Sequence, residues 1–199
     1  MPINLGFKQK RASNDRLPPG QYETKDFPVL SLGPTPKISK ESYSLEIKGL
    51  VEKPLTLSFN QLLKLKNETI TKDIHCVTHW SKFDSIWSGV PFEEILKQIK
   101  PKKEATYILA HSYDGYSTNI PLEDLKSKQA WIAFTYDNQD IPSEHGGPVR
   151  LLIPHLYFWK SAKWLNKIEF IPADHPGFWE VRGYHNYGNP WKEQRYTND

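Results

Sequence analysis

The chain carries 16 prolines and 11 glycines spread along 199 residues, and this excludes an all-helical bundle. Proline removes a backbone donor and clashes with the preceding helical turn, so helices here must be short and separated by ordered turns. A chain of this length is expected to form one large domain, 1–199, with enough residues to bury a core. Only 38% of its residues are hydrophobic, but 7 Trp, 10 Tyr and 9 Phe supply large buried surfaces. A single cysteine excludes an internal disulfide. The net charge of +3 is too small to argue for nucleic acid. No apolar run reaches the length of a membrane span. The first 20 residues are basic but lack the apolar stretch of a signal peptide, so a cytoplasmic protein is expected.

Residues 1–40 are polar and proline-rich and read as an irregular arm laid over a core. "YSLEIKGLV" (43–51) alternates like a strand. "LTLSFNQLLKL" (55–65) starts extended, and Ser58 with Gln61 then forms a capping box for a short helix. "TITKDIHCV" (69–77), "TYILAHS" (106–112), "AWIAFTY" (130–136), "PVRLLIP" (148–154) and "LNKIEFIP" (165–172) are strand candidates. "GVPFEEILKQI" (89–99) predicts a helix with Pro91 in its first turn and Phe92, Ile95, Leu96 and Ile99 on one face. "NIPLEDLKS" (119–127) reads as a second proline-started helix. Strands and short helices mix without regular βαβ alternation, which predicts an α+β fold with mixed or antiparallel sheets.

Four stretches carry residues with chemistry. In "DIHCVTHW" (73–80) Cys76 lies among two histidines, a threonine and a tryptophan. Packing, a Cys-His nucleophile, a zinc site completed by His75 and His79, and a soft ligand for a heavier metal all remain open. In "SEHGGPVRLLIP" (143–154) two glycines allow a sharp turn after His145. Arg150 there sits in an apolar strand and needs a partner, either an internal carboxylate or a bound anion. "YFWKSAKWLNK" (157–167) gathers Ser161 with Lys160, Lys163 and Lys167, as a solvated face or as a grip on a phosphate. "HSYDGYSTNIPLEDL" (111–125) sets Tyr113 and Tyr116 around a turn, in solvent or pointed into a pocket. No Walker A loop and no G-x-G-x-x-G after a strand is found, so neither common nucleotide fold is indicated.

In order along the chain stand H-C-V-x-x-W, W-x-G-V-P, G-Y-S-x-x-I-P-L, H-G-G-P-V-R-L-L-I-P and K-S-A-K-W-L. This ordered set resembles the catalytic domain of the sulfite oxidase family, the molybdopterin-binding oxidoreductases, from about residue 40 to residue 185. The short length is similar to prokaryotic sulfite oxidase-like members and to the catalytic subunit of periplasmic methionine sulfoxide reductase. The resemblance implies the sulfite oxidase molybdopterin-binding fold, the molybdenum cofactor, and oxygen-atom transfer. It implies that Cys76 is the protein's ligand to molybdenum, and a soft thiolate suits a metal also held by dithiolene sulfurs. It implies that His145, Arg150, Ser161, Ala162 and Lys163 contact the pterin and its phosphate, and that Ser112 contacts the cofactor. It places Tyr116 at the family's active-site tyrosine. The arm segment "FPVLSLG" (27–33) would add contacts to the pterin.

Two departures bear on substrate. Sulfite oxidases follow the cysteine with arginines that hold the dianion, whereas this chain has Thr78-His79-Trp80. They carry Arg-x-His in the arm, whereas this chain has Leu30-Ser31-Leu32. A dianion without cations leaves its desolvation uncompensated, so reduction of a small neutral S-oxide or N-oxide is expected in place of sulfite oxidation. Tyr116 would donate to the oxide, His79 would supply a proton, and Trp80 would form an apolar wall, with Arg182 the remaining candidate cation. Neither a haem domain nor a dimerisation domain is recognised. A separate electron-transfer partner and a monomer are therefore expected. Competing readings are a non-enzymatic anion-binding module using Arg150 and Lys163, and a hydrolase with Cys76 as nucleophile.

Overall fold

In the computed structural model the described residues are 15–199. The expectations for 1–14, part of the irregular arm and of the signal-peptide reading, lie outside them. The elements in chain order are β1 (Tyr22–Glu23), β2 (Ser44–Gly49), β3 (Leu55–Ser58), α1 (Phe59–Lys64), β4 (Glu68–His75), β5 (Trp80–Pro91) and α2 (Phe92–Ile99). Then follow β6 (Tyr107–Ser112), β7 (Ser117–Pro121), β8 (Trp131–Tyr136), β9 (Gln139–Asp140), β10 (Arg150–Leu152) and β11 (Leu165–Ile171), with single 3-10 turns between several of them. One sheet runs β1-β5-β8-β10, with β4 also on β5 and β9 on β8. The other runs β3-β2-β11-β6-β7. Two pairings, β1 with β5 and β2 with β11, are parallel, and the rest are antiparallel. The fold is α+β with mixed sheets and short helices, as its sequence predicts.

Local chemistry explains the short helices. Ser58 and Gln61 form the reciprocal capping box at the start of α1. Pro91 is the N-cap of α2, and Phe92, Ile95 and Ile99 bury one face of it. Period-2 alternation divides the core. On β8, Ile132 and Phe134 join the larger cluster with α1, α2 and the five-stranded sheet, while Trp131 and Ala133 join a second cluster with Cys76, Trp80, Trp87 and Tyr157.

Two readings need correction. Residues 119–127 are no α-helix: β7 pairs with β6 through Asn119↔Leu109 and Pro121↔Tyr107, leaving only a 3-10 turn over Leu122–Leu125. A hairpin turn at Gly115, where φ is +86°, brings the polar Ser117–Asn119 stretch into the sheet. The sequence also gave no signal for β5, the longest strand. Its inward positions include buried Ser81 and Ser85 beside Trp87, so polar residues interrupt the apolar alternation.

Candidate active site

A cavity of about 350 Å³ opens between the arm and the second core cluster. It collects residues from five places in the chain: the arm at Phe27 to Leu32, the loop after β4, the β6–β7 turn, the stretch from His145 to Lys163, and Trp179 with Tyr184. Cys76, Ser112, Tyr116, His145, Arg150, Ser161, Ala162 and Lys163, distant in sequence, all line it.

Cys76 occupies the tight connection from β4 to β5. Its N–H donates to the Trp80 carbonyl at 2.8 Å, and its own carbonyl accepts from the His79 N–H at 3.1 Å. The thiol is 5% exposed and accepts a hydrogen bond from the Thr78 hydroxyl at 3.1 Å. Burial pushes its pKa up, opposed by that hydroxyl, by backbone N–H groups of Val77 and Thr78, and by the charge of Arg195. Neither neighbouring histidine serves it. His75 pairs through Nδ1 with Ser81 at 2.8 Å, and burial drives its pKa down to about 4. His79, expected as a proton donor in the pocket, does not line the cavity, because its φ of +75° turns the ring toward the Gly20 carbonyl, 2.8 Å from Nδ1. No group of three His, Cys, Asp or Glu able to hold a metal occurs among the described residues, which removes the donor set a zinc site needs.

Gly146 and Gly147 are there for space. A Cβ on Gly146 would come within 2.8 Å of Lys163 Cβ, and one on Gly147 within 2.0 Å of the Ile141 carbonyl. This close approach brings His145 against the arm, where its ring stacks on Phe27 at 3.8 Å. Burial, and then the charges of Arg150 and Lys163, lower its pKa to about 4, so the imidazole is neutral. The Arg150 guanidinium meets no carboxylate. It donates to the carbonyls of His145 at 2.6 Å and Ser161 at 2.8 Å, more weakly to Leu151 at 3.5 Å, and stacks over Phe158 at 4.1 Å. Two of its five N–H groups are left over for a ligand. Desolvation brings its pKa down to about 9. Lys163 donates to the carbonyls of Leu30 and Glu144 at 2.6 and 2.7 Å, and desolvation followed by repulsion from Arg150 lowers it to about 8.

The three lysines of 157–167 do not act together. Lys160 is fully buried behind the cavity, 2.6 Å from Glu180, and also donates to Asn119 and to the Asn186 carbonyl. Lys167 pairs with Glu169 at 3.8 Å on β11. Only Lys163 reaches the cavity. Tyr116 lines the wall, but its hydroxyl donates to the Trp159 carbonyl at 2.6 Å, and burial holds its pKa well above the usual tyrosine value. The lining tyrosine whose hydroxyl is spare is Tyr184. It lines the same cavity, no described residue hydrogen-bonds its hydroxyl, and burial raises its pKa. Arg182 is not part of the lining: it donates to the Phe178 carbonyl at 2.8 Å and covers the Phe178 ring. The arm segment 27–33 lines the cavity through Phe27, Pro28, Leu30, Ser31 and Leu32, where contacts to the cofactor were expected, whereas sequence reasoning missed Tyr184 and Trp179 as wall residues. The signal available was the aromatic run "GFWEVRGYHNYG" (177–188), which only the folded C-terminal segment brings round to Cys76.

The arrangement fits a dithiolene-bound metal on a phosphorylated pterin. It offers one soft thiolate, a neutral imidazole, a glycine pair permitting close backbone approach, two cations with N–H groups on one wall, and the buried Ser112 hydroxyl without a partner. Known proteins agree. Residues 32–179 match the family described as "Oxidoreductase molybdopterin binding domain". The "Uncharacterized oxidoreductase YuiH" of Bacillus subtilis (strain 168) is 41% identical over 98% of this chain and 99% of its own length. The "Putative protein-methionine-sulfoxide reductase subunit YedZ1" of Azospira oryzae is 30% identical over 76% of this chain, which spans 58% of that protein. The "Protein-methionine-sulfoxide reductase catalytic subunit MsrP" of Ralstonia nicotianae is 26% identical over 73% of this chain and 49% of that one. The fold also matches the sulfane dehydrogenase SoxCD from Paracoccus pantotrophus with a TM-score of 0.64 and 24% identity, over 70% of this chain and 40% of that one. With a lone buried thiol facing a cation-walled cavity and a family match over most of its length, the chain belongs to the molybdopterin-binding oxidoreductases, enzymes that work with the molybdenum cofactor.

Proposed function

We propose that this oxidoreductase transfers an oxygen atom by reducing a small neutral S-oxide or N-oxide, and that sulfite is a poor substrate. The observation that carries this reading is the state of the cations at the cavity. Among the described lining residues only Arg150 and Lys163 are cationic with His145 neutral, and both spend N–H groups on backbone carbonyls. Thr78 and Trp80 line the cavity beside Cys76, and the arm contributes Leu30 and Leu32 to the lining. The N–H groups that Arg150 and Lys163 keep are taken by the pterin phosphate in this reading, so a second dianion finds no cation of its own and its desolvation goes uncompensated. A neutral oxide needs only a donor and an apolar wall. The names of the Ralstonia and Azospira relatives, which describe sulfoxide reductases, point the same way.

In this reading Cys76 is the thiolate ligand to molybdenum. Ser112, His145, Arg150, Ser161, Ala162 and Lys163 hold the pterin and its phosphate. When bound, the cofactor supplies a metal able to change oxidation state by two electrons, which oxygen-atom transfer requires. The chain's share is orientation and proton supply: Tyr184 donates to the substrate oxygen, and Trp80 packs the alkyl groups. Electrons come from a separate partner, a reading the words "catalytic subunit" in the Ralstonia relative's name support. Among the described residues no helix is long and apolar enough to cross a membrane. We further propose a monomer that works in the cytoplasm.

Steady-state kinetics with one-electron dyes test the proposal, reducing dye for oxides and oxidising dye for sulfite. We expect the higher specificity constant for a methyl sulfoxide or an amine N-oxide. A higher value for sulfite at neutral pH overturns it.

A further inference from the structure

The Cys76 loop is held from behind by two segments that lie outside the family-matched residues 32–179. Arg195, 4% exposed, donates through Nη1 to the Val77 carbonyl at 2.6 Å and through Nη2 to the Pro19 carbonyl at 3.2 Å. Its guanidinium lies 5.0 Å over the Tyr157 ring. From the arm, Gln21 donates through Nε2 to the Cys76 carbonyl at 2.9 Å and more weakly to that of Trp80 at 3.5 Å. Its guanidinium pairs through Nε with Glu193 at 3.4 Å, a carboxylate whose side chain is half-exposed, while the Asp199 carboxylate accepts from the Arg195 backbone N–H at 2.8 Å. The guanidinium is thus buried against backbone carbonyls and an aromatic ring, with one long ion pair to a half-exposed carboxylate. Burying a guanidinium is unfavourable unless something beside it benefits, and a methionine would fill the same volume. What lies beside it is the peptide adjoining Cys76.

We propose that Arg195 is a positioning residue for the Cys76 metal ligand. Its fork fixes the Val77 carbonyl and so the loop that presents Sγ, while its charge faces the anionic thiolate and metal from behind. Gln21 is the other half of the clasp. The proposal rests on the reading of Cys76 as the ligand. Groups behind a ligand orient it and tune the metal, and a nearby positive charge favours the more reduced, more negative state of the centre. Loss of that charge therefore moves the midpoint potential downward.

Three variants of the cofactor-loaded enzyme separate geometry from charge. Arg195→Lys keeps the charge without the fork, Arg195→Gln keeps an N–H for Val77 without the charge, and Arg195→Met keeps neither. The readouts are the midpoint potential, followed by the Mo(V) electron paramagnetic resonance signal, and hydrogen exchange at the amides of residues 76–80. We expect Arg195→Gln to show a more negative potential with nearly wild-type exchange. Arg195→Lys should hold the potential while exchange in the loop speeds up several-fold, and Arg195→Met, where it folds, should show both changes. A wild-type potential in Arg195→Gln, or unchanged loop exchange in Arg195→Lys, overturns the proposal. A wild-type enzyme without molybdenum, or a Cys76→Ser variant with an unaltered Mo(V) signal, sinks the ligand assignment instead, and the proposal falls with it.

Discussion

Arg150 shows how one residue can serve the fold and the site together. Its carbonyl partners belong to two separate loops, those of His145 and Ser161, so removing it leaves buried acceptors unmet. Arg150→Met is expected to destabilise the cofactor-free protein by about 3 kcal/mol, read from urea unfolding. Lys163→Ala, at a half-buried and more adaptable position, should cost about 1 kcal/mol or less. His145 gives the site a pH signature. Its folded pKa of about 4 lies below the unfolded value near 6.5, so between the two the unfolded chain binds more protons. Its contribution to stability is complete above about pH 6.5 and is lost as pH falls toward 4. Denaturant midpoints measured across that window should drop with acid, and His145→Gln should reduce the slope, leaving the part that His75, also lowered to about 4, contributes. At this scale the sequence was a good guide to identity and a poor one to partners. Cys76, His145, Arg150 and Lys163 stood out by type and by motif. That Arg150 would choose carbonyls, that Tyr116 would give its hydroxyl to Trp159, and that His79 would face the arm depend on backbone dihedrals set by distant contacts.

Among the elements, the arm is the one whose structure its composition hides. Proline-rich and nearly without secondary structure, it still enters the sheet as β1 beside Trp80 and Ser81. It then drops Phe27 among His145, Trp80, Trp87, Tyr136 and Phe158. Phe27→Ala removes that anchor, at a cost of about 2–3 kcal/mol for a large, partly buried ring. Limited proteolysis should then cut within residues 24–37 faster than in the wild type; equal rates would mean that the Lys163 bond to Leu30 alone suffices to hold the segment. Strands and helices with strong local signals, such as the capped α1 and the one-faced α2, were legible from sequence. β5 and β7 were not, because their buried faces carry serine, threonine and asparagine, whose burial only the completed sheet and the segment around Glu180 make tolerable.

The whole molecule is arranged so that its cavity is a shared product of both sheets, the arm and the C-terminal segment. A ligand that binds only this closed arrangement stabilises all of it by mass action, about 4 kcal/mol at a thousandfold excess over Kd. The cofactor-loaded protein is therefore expected to melt several degrees above the cofactor-free form, with the greatest gain in hydrogen-exchange protection at residues 27–32 and 177–184; coincident melting curves would contradict this. The order of strands has a kinetic side as well. The centre of the five-stranded sheet is β11, the last strand in the chain, wedged between β2 and β6 through pairs such as Ile168↔Ile47 and Ile168↔Ala110. Until it arrives, β2 and β6 each present an open edge able to recruit another chain, and a parallel pairing between such distant residues closes slowly. Lys163 and Trp164 enter on the same stretch, so a half-folded intermediate has no cavity, only two sticky edges. Refolding yield should therefore fall with protein concentration far more steeply than refolding rate.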